Sequence, residues 1–167
     1  MKTILKISII FIISIQNAFS LDKIAYLDID FILSNSNKGK SIIKILDEKN
    51  KVNISKLKEK EKILKKLESD IEKKKNIISK EELNIQIENL KKKIIIFRDE
   101  KEKLVNNFNS LKKDEISKLM KEINPIIINY VKENSISVVL NKKNILIGQA
   151  SYDITNDLLD LVNIKLK

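Results

Sequence analysis

Residues 83–111 read LNIQIENLKKKIIIFRDEKEKLVNNFNSL. Within this stretch Leu83, Ile87, Leu90, Ile94 and Phe97, then a polar break at Lys101, then Leu104, Phe108 and Leu111 recur at alternating three- and four-residue intervals. The 3.5-residue period is that of a coiled-coil seam, narrower than the stripe a helix buries in a globular core. Upstream the same spacing picks out Ile43, Leu46, Leu57, Leu64, Leu67, Ile71 and Ile78, interrupted by Asn50, Asn53, Lys60 and Lys74, so this partner seam is patchier. Between the two lies Asn76-Ile77-Ile78-Ser79-Lys80-Glu81-Glu82, where the S-x-x-E spacing of Ser79 and Glu82 lets each side chain cap the other's amide and start a helix near Lys80. The reading is a helical hairpin with arms of about 35 to 40 residues, roughly 50 to 60 Å each. One unbroken helix is the competing expectation, since neither glycine nor proline marks the turn.

Working outward, the composition fits long solvated helices with a small core: 5% of the 167 residues are aromatic and 34% charged, with two glycines and one proline. Cysteine and histidine are absent, which removes disulfides, thiolate metal sites and the commonest general base. The paired acids Asp47-Glu48, Glu81-Glu82, Asp99-Glu100 and Asp114-Glu115 fall on a solvated helical stretch, where neighbours point about 100° apart. With no Gly-rich phosphate loop either, we expect no enzyme, no cofactor and no metal. The formal charge is +10, and residues 41–123 hold most of it, with 22 Lys and one Arg against 16 Asp and Glu. Such a field attracts anionic partners, whether an acidic polypeptide, an acidic lipid surface or nucleic acid; a Lys-rich compositional bias alone would give the same count.

Met1–Ser20 has two lysines, an apolar run from Ile7 to Ile15 and small residues at Ala18 and Ser20, the pattern of a cleaved secretory signal peptide. Export from the cytoplasm argues against nucleic acid as the partner. Lys23 to Asp30 then reads as a strand with Ile24, Tyr26 and Asp28 on one face, and Phe31 to Leu33 as a helical turn. Asn35 to Gly39 can cap the first arm. Beyond Leu111 the stripe broadens to Ile116, Leu119, Met120, Ile123, Ile127, Tyr130 and Val131, crossed by Pro125, which should kink the helix. Ser137-Val138-Val139-Leu140 and Ile145-Leu146-Ile147-Gly148 read as a β-hairpin, and Asp153-Ile154-Thr155 as caps for a last amphipathic helix carrying Leu158, Leu159, Leu161, Val162 and Leu166. The expected fold is α+β: a small strand-containing body (residues 21–40 and 124–167) with a long antiparallel helical-hairpin arm (residues 41–123) inserted. A body of about 60 residues is marginal alone, so oligomerisation should complete it.

In this order, with Ile24-Ala25-Tyr26-Leu27-Asp28, Asn124-Pro125-Ile126, Val138-Val139-Leu140 and Tyr152-Asp153-Ile154-Thr155-Asn156-Asp157-Leu158-Leu159, the chain resembles the Skp/OmpH family of periplasmic chaperones. The resemblance implies a homotrimer whose bodies associate through their strands and whose arms enclose a cavity for unfolded outer-membrane β-barrel proteins, held without ATP. The arms depart from the family in their Lys and Ile bias. Candidate client contacts are Lys73, Lys74, Lys75, Ile77 and Ile78 around the tip, with Ile85, Lys91, Lys92, Lys93 and Ile96 on the second arm. Packing against the hairpin partner is the slightly favoured reading for Ile85. A structural coiled-coil protein bridging envelope components is the alternative function; a nucleic-acid binder is disfavoured by export and by the lack of interleaved aromatics.

Overall fold

The structure, a computed structural model, describes residues 23–166. The signal-peptide expectation for residues 1–20 lies outside the described residues. Strand β1 (Lys23–Leu27) leads into helix α1 (Ile29–Asn35), the two long helices α2 (Asn37–Lys74) and α3 (Lys80–Glu133), strand β2 (Ile136–Asn141) and the closing helix α4 (Thr155–Lys165). α2 and α3 form the expected hairpin, with the break where the capping residues put it: Ser79 Oγ accepts from Glu82 N at 3.1 Å. The Glu82 carboxylate does not face back; it accepts from Gln86 Nε2 at 3.3 Å. At the hairpin's other end Ser36, wholly buried, caps α2 by accepting from Gly39 N. Gly39 is required there, because a Cβ would stand 1.8 Å from Leu33 O at the end of α1.

The core belongs to the body. Ala25 and Leu27 from β1, Ile32 from α1, Leu119, Ile123 and Ile126 from α3, Ile136 from β2, and Ile154, Leu158 and Val162 around α4 form one buried cluster. α3 therefore serves twice, as half of the arm and as a wall of the body. Pro125 does not end it. Its side chain is exposed and the helix continues through Ile126 to Glu133. The stripe expected on this segment is corrected in detail: Ile116 is exposed and Ile126 takes the buried place.

The sheet has two parallel strands, with Ile24 opposite Val138 and Tyr26 opposite Leu140. The expected β-hairpin is not formed. After β2, Asn141 accepts from Lys143 N and caps a 3₁₀ turn (Lys142–Asn144), and Leu146 and Ile147 are 97% and 90% exposed. The reason lies across the sheet. Ile154 N donates to Tyr26 O at 2.9 Å and Asp153 bridges Tyr26 in parallel, on the side of β1 away from β2. The connecting chain must cross the face of β1 to get there, which a return strand alongside β2 could not do. It crosses at Gly148, where a Cβ would meet the Tyr26 ring at 2.8 Å, and the Tyr26 hydroxyl donates to Gln149 O at 3.1 Å.

Polar bonds between distant residues then lock the body. Asp28 N donates to Thr155 Oγ1 at 2.9 Å, and Asn37 N to Asn163 Oδ1 at 2.8 Å. Lys142 pairs with Asp153 at 2.7 Å, and Lys143 with Asp30. Burial tends to push the Asp153 carboxyl up, but the Lys142 ammonium and the Thr155 hydroxyl and amide outweigh it and hold it below the usual aspartate value. Tyr130 lies on the other side, its phenol pushed up by burial and by its hydrogen bond to Asp157 at 2.9 Å.

Candidate functional site

The arm is a two-helix seam and little else. All eight apolar positions read from residues 83–111 are half-buried, as are Leu57, Leu64, Leu67, Ile71 and Ile78 opposite, while Leu46 is buried. Ile43 is the exception: it is exposed, and Ile42 turns inward toward the body core instead. Two ion pairs cross the seam, Lys38 with Glu122 and Lys60 with Glu100. In both, the residue numbers add to 160, so the helices keep one register for 22 positions, about 33 Å. Asn50 and Asn53 occupy half-buried seam positions between these pairs, where apolar side chains would have packed.

The candidate contact residues lie on the outside of this arm. Ile77 at the tip is 81% exposed, and Ile85 and Ile96 are 61% and 57% exposed, so Ile85 does not pack on its hairpin partner. Ile78 is drawn halfway into the seam. Lys73, Lys74, Lys92 and Lys93 stand exposed. Lys75 is engaged by Glu72, and Lys91 by Glu88 at 2.8 Å, a bond that holds the Glu88 carboxyl below its ordinary value. Tip and shaft residues are thus spread along the arm's length and are not brought together into one cluster.

The positive charge expected along residues 41–123 is uneven over the length of the arm. The distal stretch 70–90 has four lysines against five carboxylates. Residues 56–69 and 91–104, level with one another in the shared register, together carry twelve Lys and Arg against six carboxylates. The basic field is centred on the shaft. Ile43, expected in the seam, Ile116, expected in the body stripe, and Val105, which no expectation singled out, are all exposed, and their eleven-residue spacings to one another or to Ile54 were the available signal.

Among the described residues, no group of three or more acidic residues is placed to hold a metal ion, and no helix is long and apolar enough to cross a membrane. The fold and surface together define a class of body-and-arm protein whose long helical hairpin presents contact area along its length. The chain belongs to the OmpH-like family: the family's model, described as Outer membrane protein (OmpH-like), matches residues 23–162. A crystal structure of a candidate outer membrane chaperone (OmpH-like) from Caulobacter crescentus CB15 has the same fold, with a TM-score of 0.76 over 88% of this chain and 87% of that one at 16% identity. No curated protein matches the chain in sequence.

Proposed function

We propose that the protein is an ATP-independent periplasmic holdase that binds unfolded outer-membrane β-barrel proteins between the arms of a homotrimer. The observation that carries this reading is the coexistence, on one long arm, of many exposed isoleucines with a basic shaft. Aliphatic side chains distributed along a basic arm supply both terms of a weak, many-point contact, apolar burial and charge. Unfolded β-barrel chains present alternating apolar residues, and an acidic one would be drawn to the shaft from a distance and then held by many weak contacts.

The trimer belongs to the same proposal, with residues 21–40 and 124–167 as the associating body and 41–123 as the arm. Its support is the outer surface of the sheet, where Ile24, Val138 and Leu140 are exposed beside Leu146 and Ile147, and where β2 leaves one edge open. The test is native mass spectrometry of the exported protein with and without an unfolded acidic β-barrel client, together with light scattering of that client in the absence of nucleotide. The expected result is a trimer that takes up one client and delays its aggregation. A protein that leaves the client's aggregation unchanged at a several-fold molar excess is not a holdase.

A further inference from the structure

The two faces of the hairpin are chemically unlike. On one face lie two shallow hollows. The basal hollow, about 460 Å³, is walled by Ile43, Leu46, Phe108 and Ile116 and edged by Asp30, Asp47 and Lys112. The next, about 320 Å³, is walled by Ile54, Leu57 and Phe97 and edged by Lys58, Glu61 and Lys101. Ile43 to Ile54 and Val105 to Ile116 are each eleven residues, which is three helical turns plus about 20°, so each pair shares a flank of its helix. In the common register Ile43 is within one residue of level with Ile116, and Ile54 with Val105. The four make a ladder of two apolar rungs, each residue between 37% and 49% exposed, about 16 Å apart along the arm. At the same height the opposite face has a hollow edged by Lys56, Lys60, Lys103 and Glu100. That face has one level aliphatic pair of its own, Ile63 and Ile96.

We infer that the ladder face is the seat for apolar side chains of an unfolded acidic polypeptide in extended conformation. The inference rests on the holdase reading and names the surface that retains the client. Extended chain rises about 3.3 Å per residue and alternates its side chains, so residues four or six apart, about 13 or 20 Å, point the same way, bracket the rung spacing and can enter both hollows. Charge sets its lie. Lys58 and Lys101 edge the distal hollow beside Glu61, which Lys65 pairs, whereas the carboxylates at the basal hollow, Asp30 and Asp47, are held by Lys143 and Lys51, so acidic residues of the segment are favoured beside the distal hollow.

The experiment is stopped-flow release of a fluorescent, unfolded, acidic β-barrel client from the exported protein. The variants are Ile54→Ser with Val105→Ser, Ile43→Ser with Ile116→Ser, and Ile63→Ser with Ile96→Ser on the other face. All six side chains are exposed, and unchanged thermal melts confirm the fold. Each ladder pair should release the client about tenfold faster, the effect of losing a few partly buried methylenes, while the Ile63/Ile96 pair stays within about twofold of wild type. Release at the wild-type rate from both ladder variants, or equal acceleration by the Ile63/Ile96 pair, overturns the ladder while leaving the holdase reading in place. A wild-type protein that captures no client overturns both.

Discussion

The body and the arm are held by different kinds of contact. In the body, residues more than a hundred positions apart are joined by hydrogen bonds, Asp28 to Thr155, Asn37 to Asn163 and Tyr26 to Gln149, around side chains such as Ile32, Ile123, Leu158 and Val162 that are fully removed from water. In the arm beyond Leu46 no side chain of α2 is fully buried, and most ion pairs stay within one helix: Asp47 with Lys51, Glu61 with Lys65, Glu72 with Lys75, Glu88 with Lys91, Glu115 with Lys118. Exposed pairs of this kind stiffen a helix by only a few tenths of a kcal/mol and do nothing to join two helices. The arm is therefore two stable rods weakly joined along one line, fixed at its root by a body whose parts depend on one another.

The sharpest way to break that contrast is in the core. Leu158→Ala should cost about 3 to 4 kcal/mol, because the site is enclosed by α1, α3 and β1 and can collapse only in part. Denaturant unfolding followed by circular dichroism should show the body and the root of the arm lost together. In the arm, Phe97→Ala should cost at most about 3 kcal/mol, since a half-buried ring has less to lose. Amide exchange should quicken around Leu64 on the facing helix and stay unchanged in α4; faster exchange in α4 would show that arm and body unfold as one unit. Ser79→Ala removes the cap of α3 and should cost about 1 kcal/mol, read as faster exchange confined to residues 79–84.

A smaller effect separates the regions by pH. Asp153 has a folded pKa below its unfolded value, so its contribution is full above the ordinary aspartate pKa of about 4 and is lost as pH falls through the lower folded value. The stability difference between wild type and Asp153→Asn should be flat from pH 7 to 5 and shrink below about pH 4. The smallest change is expected for Lys60→Ala. Its pair with Glu100 is half exposed on both sides, so the loss should lie between about 0.2 and 1 kcal/mol and fade in high salt. A larger, salt-resistant loss would mean that the polar stretch of the seam is as firmly joined as the apolar one.

These differences also explain what was legible in the sequence. Periodicity reports contacts that repeat along one helix, and residues 83–111 repeat them with a single polar break at Lys101, so the seam, the turn at Ser79 and the start at Lys80 were all readable. Leu46 and Leu57 were readable on the other helix of the hairpin; Ile42 was not, because it packs against the body core, outside the repeat of the seam. Ile145–Gly148 misled for a related reason. An apolar run after a turn favours a hairpin, but the chain's destination is the far side of β1, set by Asp153 and Ile154, and no local signal carries that constraint. Of the candidate contacts, exposure of Ile77 followed from its place in a turn. The ladder of Ile43, Ile54, Val105 and Ile116 needed the register between helices, which only the Lys38 and Lys60 pairs reveal.

α3 is continuous from Lys80 to Glu133, and the pair of Lys38 with Glu122 ties it to α2 near its root. Taken as a lever with its fulcrum at Glu122, it has a long limb of about 63 Å toward the tip and a short limb of about 16 Å ending beside β2. The ratio is about four to one. A tip displaced by about 8 Å then moves the start of β2 by about 2 Å, and a small adjustment at β2 swings the tip fourfold as far. Swing of the arm's tip and strain at the start of β2 are, mechanically, two readings of one dial.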